Sequence, residues 1–106
     1  MARVVALVSD LMLASRVEAP LRAAGHEVQV SATPPEGAAD ADVIVADLDA
    51  VDAAEVTAIG PPTLGFHQHT DVETKREAEA AGFDVVVPRS RMVRDLIPLV
   101  EGLAQR

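Results

Sequence analysis

The segment VVALVSDLMLASRVEAPLRAAGHEVQV, residues 4–30, decides the fold. It begins with a continuous apolar run, Val4–Val8, and ends with a second valine-rich run, Val28–Val30. Between them, residues 10–24 carry apolar side chains at helical spacing, and Asp10 is placed to cap that helix. Short apolar runs without polar alternation are typical of strands that are buried on both faces of a parallel sheet. The segment therefore predicts a strand–helix–strand unit with parallel strands.

The same alternation continues through the rest of the chain. Further strands are predicted at Val43–Ala46, Thr63–Phe66 and Val85–Val87. Further helices are predicted over residues 52–59, 71–81 and 91–104. Their predicted caps are Asp52, Thr70 together with Glu73, and Ser90. Pro34, Pro35 and Gly37 leave room for about one helical turn before the third strand.

This order of elements predicts one α/β domain over residues 1–106. We expect a five-stranded parallel sheet of order 2-1-3-4-5 inside a three-layer, flavodoxin-like sandwich, with the second crossover helix short or missing. Pro20 and Pro98 lie within helical patterns, and each should kink its helix or start a new turn because proline removes a backbone donor.

Composition narrows the classes of function. The 106 residues include no cysteine, which excludes disulfides, thiolate metal sites and a cysteine nucleophile. Seventeen acids against nine bases give a net charge of −8, which disfavours binding to nucleic acid or to an anionic membrane surface. With no run near the roughly 18 apolar residues of a membrane span, we expect a cytoplasmic protein.

Candidate functional residues follow the predicted strands, because ligands of such sheets gather at the carboxyl ends of the strands. Asp10 follows the first strand and Asp47 ends the third, so the two carboxylates should meet if these strands are neighbours. Two adjacent carboxylates need a cation or a proton between them, and Mg²⁺ is the hard cation that carboxylates and water hold. Asp49 and Asp52 are interpreted as loop and cap residues.

Four segments together resemble the receiver domain of response regulators, the CheY-like superfamily. The first strand with Ser9-Asp10 and the stretch from Leu21 to Val28 resemble the opening of that domain. The run Asp42–Leu48 resembles its third strand, and Ala80–Arg89 resembles its last strand with the glycine before it and the basic residue after it. The resemblance covers nearly the whole chain, and it depends on the order and spacing of the segments.

The resemblance implies that Asp47 is the phosphoacceptor and that Asp10 is the second of two metal-binding acids. It also shows departures: Ser9 stands where the first acid is expected, His67 where a threonine or serine is expected, and Arg89 where a lysine is expected. The proline usual after that lysine is also replaced, by a serine. A receiver with these changes would bind Mg²⁺ poorly and would lack the usual hydroxyl switch.

The sequence therefore predicts a degenerate receiver that is not an enzyme and that binds a protein partner without phosphorylation. By resemblance, the partner or a second copy in a homodimer would bind the face formed by residues 71–81, the last strand and residues 91–104. One alternative is a phosphoacceptor receiver that uses Asp47 with Mg²⁺ held partly by Asp10.

A second alternative is a small-ligand or metal site built from Asp10, Asp47, His67 and His69, with Asp71 close by. Arg89 has three interpretations. It can lie on a solvated face, neutralise Asp47 and lower the pKa of that carboxyl, or bind an anion with the following helix turn.

Overall fold

The computed structural model describes residues 1–68 and 72–106. Its strands are β1 (Arg3–Leu7), β2 (Glu27–Ser31), β3 (Val43–Asp47), β4 (Thr63–His67) and β5 (Val85–Pro88). Its α-helices are α1 (Leu11–Ala23), α2 (Ala53–Thr57), α3 (Val72–Ala80) and α4 (Arg89–Ala104). Between β2 and β3 lies one 3₁₀ turn, Ala38–Asp40, which confirms the shortened second crossover.

The five strands form one parallel sheet of order β2-β1-β3-β4-β5, as the alternation of elements predicts. β1 pairs with β2 on one side and with β3 on the other, and Leu7 lies level with Ala46 of β3. The order of the strands therefore reverses between β1 and β3. The carboxyl ends of these two strands lie at the same edge of the sheet. Asp10, which follows β1, and Asp47, the last residue of β3, therefore lie at that edge as well.

Strand alternation divides the interior into two cores, one on each face of the sheet. The larger core packs α1 and α4 against side chains such as Val4, Val45 and Phe66. The smaller core packs α2 and α3 against Val5 and Ile44. Because every strand contributes to the interior on both faces, its sequence is a continuous apolar run. No helix of the part that the structure describes is long and apolar enough to cross a membrane.

The helix caps agree with the sequence at two helices and differ at a third. Asp10 accepts a hydrogen bond from the Leu13 backbone N–H at 3.0 Å, and Asp52 accepts one from the Ala54 N–H at 2.9 Å. The prediction that Ser90 caps the last helix is wrong. The helix begins earlier, at Arg89, directly after β5, and Pro88 occupies the cap position. The predicted pairing of Thr70 with Glu73 involves a residue outside those that the structure describes.

α4 contributes one face to the larger core. Met92 is fully buried, whereas its neighbour Val93 is 38% exposed. The helix contains a non-helical residue, Asp95, three positions before Pro98. Proline at position 98 cannot bond the carbonyl of residue 94, so the predicted kink is confirmed there.

Pro20 behaves differently from the prediction. α1 continues through it to Ala23 and keeps helical backbone angles. Pro20 lies in the last turn of the helix and on its exposed side. Because proline has no N–H, the Arg16 carbonyl lacks its usual hydrogen-bond donor in the helix. Arg16 is exposed, so water can donate to this carbonyl instead, and the helix need not bend.

Candidate functional site

The candidate site lies at the carboxyl edge of the sheet, where β1 and β3 end. Ser9 and Asp10 form the exposed connection from β1 to α1. The Asp10 side chain caps α1, so one of its carboxylate oxygens is already engaged with the backbone. Asp47 is the last residue of β3 and is half-buried. The structure therefore brings the two acids to one edge of the sheet, as the sequence predicts, with Asp10 also serving the helix.

The environment of Asp47 changes the acidity of its carboxyl group. Burial raises the pKa of Asp47 above its ordinary value, and the charges of Asp49 and Asp10 raise it further. A hydrogen bond from the Asp49 backbone N–H, at 3.0 Å, and the charge of Arg89 lower it. Burial is the largest of these effects, and the pKa rises overall. The ionised form of Asp47 is therefore less favourable at this edge than it is in water.

The charge of Arg89 acts on Asp47, but the guanidinium group forms its hydrogen bond with a different residue. Its guanidinium Nη1 donates to the Gln68 side-chain oxygen at 3.1 Å. Within residues 1–68 and 72–106 it forms no ion pair. The charge of Arg89 lowers the pKa of Asp47, as one interpretation of this arginine expects, but burial of Asp47 outweighs that effect and the pKa rises overall.

Two residues hold this edge together in ways that the sequence analysis did not identify. Asp49, which was interpreted as a loop or cap residue, accepts a hydrogen bond from the Gln68 backbone N–H at 2.8 Å. This bond ties the end of β3 to the end of β4, while the side chain of Gln68 continues to Arg89. Both residues follow predicted strands, but no spacing in the sequence shows that they would be partners.

His67 is buried at the end of β4, with 7% of its surface exposed. It follows Thr63 and Gly65 on the strand, so it lies on the face of the sheet covered by α2 and α3. Asp47 follows Val43 and Val45, which face α1 and α4. The two strands thus present His67 and Asp47 to opposite faces of the sheet.

The side chains at this edge do not fit the magnesium site that the sequence resemblance implies. Ser9 offers a neutral hydroxyl where a carboxylate is expected, and Asp10 is engaged as a cap. Among the residues with described positions, no group of three histidine or acidic side chains could hold a metal ion. For the alternative metal site, His69 and Asp71 lie outside the described residues.

Several solved structures share this fold over their whole length. A receiver domain of the Francisella response regulator 1452 is 20% identical, with 100% of this chain and 98% of that chain covered and a TM-score of 0.80. A CheY-like receiver domain protein from Methanospirillum hungatei is 18% identical, with 99% and 94% covered and a TM-score of 0.82. Chemotaxis response regulator CheY4 of Vibrio cholerae is 23% identical, with 97% and 98% covered and a TM-score of 0.77.

No protein-family model and no curated protein sequence matches the chain. The likeness is therefore carried by the structure: the same strand order, the same alternation of helices and nearly complete coverage in both directions. From end to end, this chain has the fold of a CheY-like response-regulator receiver domain.

Proposed function

We propose that the chain is a cytoplasmic, receiver-like signalling module that is not an enzyme and that binds a protein partner without being switched by phosphorylation of Asp47. One observation carries the proposal: among the residues that the structure describes, no group of three histidine or acidic side chains could hold a metal ion at this edge, and Asp10 is used to cap α1. A phosphoryl group on Asp47 would add negative charge beside Asp10 and Asp49 with little to offset it.

The region beyond the acids supports the same proposal. His67 takes the position at which the resemblance expects a switch hydroxyl, and it lies on the face of the sheet opposite Asp47. Arg89 takes the position of the expected lysine, and its guanidinium is engaged by Gln68. The switch hydroxyl is therefore replaced by a histidine, and the cation at the lysine position is hydrogen-bonded to Gln68.

The proposed partner surface is the face formed by α3, β5 and α4. Of the nine residues of α3, only Ala78 is buried, so most of this helix remains open to solvent. Val72 of α3 is 59% exposed and Val93 of α4 is 38% exposed. A homodimer through this face is the simplest alternative to a different partner, and sedimentation of the purified chain distinguishes the two.

The test is incubation of the full chain with acetyl phosphate and Mg²⁺, followed by intact-protein mass measurement. We expect no phosphoryl adduct on the wild-type chain and none on Asp47→Asn. An adduct on the wild type that Asp47→Asn abolishes would establish the phosphoacceptor alternative instead.

A gain-of-function variant makes a negative result informative. Ser9→Asp supplies the missing carboxylate on an exposed position beside Asp10. A ligand that binds only the folded state raises the melting temperature progressively as its concentration exceeds its dissociation constant. We expect the melting temperature of Ser9→Asp to rise with Mg²⁺ concentration, whereas that of the wild type stays flat. A rise of equal size in the wild type would contradict the proposal.

A further inference from the structure

Two arginines that form no ion pair with any carboxylate of residues 1–68 and 72–106 line a cleft between α1 and α4. The cleft has a volume of about 510 Å³ and is lined by Arg16, Gln68, Pro88, Arg89, Ser90 and Val93. Its volume falls in the range of small-molecule sites, which is roughly 300–1,000 Å³. The sequence analysis considered an anion at Arg89 alone, and the structure adds Arg16 of α1 on the other side of the cleft.

The arginines of the chain fall into two groups. Four of them pair with carboxylates: Arg22, Arg91, Arg94 and Arg106. The other four form no ion pair within the described part of the chain, and two of these, Arg16 and Arg89, line the same cleft. Two neighbouring cations that repel each other favour an anion between them.

The neutral polar groups of the cleft include possible donors. Because a guanidinium can only donate, the Arg89 bond to Gln68 uses the amide oxygen, and the amide nitrogen of this lining residue is a donor. The Ser90 side chain is exposed and adds a hydroxyl. Guanidinium groups and an amide nitrogen suit the oxygens of a carboxylate or a phosphate.

The remaining walls of the cleft are apolar. Pro88 is exposed at the end of β5, and Val93 lies one helical turn after Arg89 with 38% of its surface exposed. Small-molecule sites commonly combine apolar walls with a few placed polar groups that fix the orientation of the ligand. The apolar walls would contact the body of a ligand whose charged group lies between the arginines.

We propose that this cleft binds a small organic anion, a carboxylate or phosphate group on an apolar body. The proposal does not require phosphorylation of Asp47: the cleft shares Gln68 and Arg89 with the candidate site, but none of its described lining residues is an acid. A ligand bound here would contact α1, the residue that follows β4, and α4. It would therefore bridge the two helices of the larger core by non-covalent contacts.

The experiment is an NMR titration of the uniformly ¹⁵N-labelled full chain with phenylphosphonate, a probe that cannot transfer a phosphoryl group to Asp47. We expect saturable shifts of the backbone amides of Gln68, Ser90 and Val93. Inorganic phosphate should shift the same amides with weaker affinity, and uncharged benzamide should leave them unchanged. Absence of saturable shifts, shifts centred elsewhere, or equal shifts with benzamide would overturn the proposal.

Matched variants separate a specific site from general charge attraction. Arg16→Gln removes an exposed charge from the cleft and should weaken phenylphosphonate binding about tenfold, as expected for loss of a charge-assisted hydrogen bond. Arg76→Gln removes an equally exposed charge from α3 and should leave the affinity unchanged. Asp47→Asn should also bind the probe. If Arg76→Gln weakens binding as much as Arg16→Gln does, the attraction is non-specific and the proposal fails.

Discussion

At the scale of single residues, Asp10 shows how one side chain can satisfy two interpretations of the sequence. A carboxylate after a buried strand can mark a metal site, and a carboxylate before a helix can mark a cap. Here the cap is formed, with the Asp10 oxygen 3.0 Å from the Leu13 nitrogen. The position at the sheet edge is also as predicted, because β1 and β3 are parallel neighbours. Sequence spacing alone could not assign the oxygen to one role.

Asp47 is the residue whose chemistry depends most on the folded environment. Burial raises the pKa of this carboxyl, so its ionised form is less favourable in the folded chain than in the unfolded chain, where its pKa is about 3.9. The contribution of Asp47 to stability is thus fully present below the unfolded pKa and is lost as the pH rises through the higher folded-state pKa.

From this sign we predict that Asp47→Asn raises the melting temperature at pH 7. The asparagine oxygen can still accept from the Asp49 N–H, while the charge that burial disfavours is removed. The difference between variant and wild type should shrink as the pH falls below the unfolded pKa. Glu36→Gln, which removes one exposed acid from a remote loop, controls for the change in net charge. A variant that is less stable than the wild type at pH 7 would contradict the assignment.

At the scale of secondary-structure elements, the interior strand β4 depends on a residue without a side chain. A Cβ atom built on Gly65 would lie 2.7 Å from Leu48 Cδ1 and 2.8 Å from Phe83 Cδ2. Glycine is usually unfavourable within a strand, but here it permits the close approach of both side chains. The smaller core is therefore packed directly against the backbone of β4.

Gly65→Ala should accordingly destabilise the chain by about 1–3 kcal/mol, the usual cost of overpacking. Gly102 of α4 is the matched control, since nothing lies within 4 Å of its added Cβ. Gly102→Ala should stabilise by about 0.5–1 kcal/mol because alanine is the better helix former. Urea unfolding of both variants measures the two changes. Equal stability of Gly65→Ala and the wild type would show that Leu48 and Phe83 can move aside without cost.

The two prolines show how the setting of an element decides the effect of one residue. Pro98 lies in the middle of α4, and the helix bends at Asp95. Pro20 lies in the last turn of α1, and the helix stays regular. Both prolines were expected to kink their helices or to start a new turn. The kink occurs at the proline in the middle of a helix and not at the one in the last turn.

At the scale of the whole molecule, His26 joins the first strand to the last helix. Its Nδ1 accepts from the Ala2 backbone N–H at 2.9 Å, and its Nε2 lies 2.9 Å from a Glu101 oxygen. Because Nδ1 accepts, the neutral ring carries its proton on Nε2 and donates it to Glu101. The imidazole is nearly buried, with 7% of the side chain exposed. This contact holds the amino-terminal edge of the sheet against α4.

We predict that His26→Ala lowers the free energy of unfolding by about 2–3 kcal/mol, since it removes two hydrogen bonds and leaves the buried Ala2 N–H without a partner. Glu101→Gln keeps an acceptor for Nε2–H and should cost less than about 1 kcal/mol. Chemical denaturation at pH 7 compares the two. A loss from Glu101→Gln as large as that from His26→Ala would mean that charge, rather than the hydrogen bonds, holds this contact.

The sequence by itself determined the layout of the molecule. Apolar runs such as Val43–Ala46 and caps such as Asp52 are local signals, because a buried strand and a helix start each need particular residues at short spacing. Strand boundaries therefore agree with the structure to within one residue, and the right-handed crossover rule supplies the strand order.

Only the tertiary structure decided how the side chains at the sheet edge are paired. Arg89 bonds Gln68 rather than Asp47, Asp49 ties two strand ends together, and burial sets the acidity of Asp47. Each of these outcomes joins residues far apart in the chain, or depends on how deeply a group is buried. Local spacing carries neither kind of information, because hydrogen-bond geometry and desolvation arise only when the strands and helices have packed together.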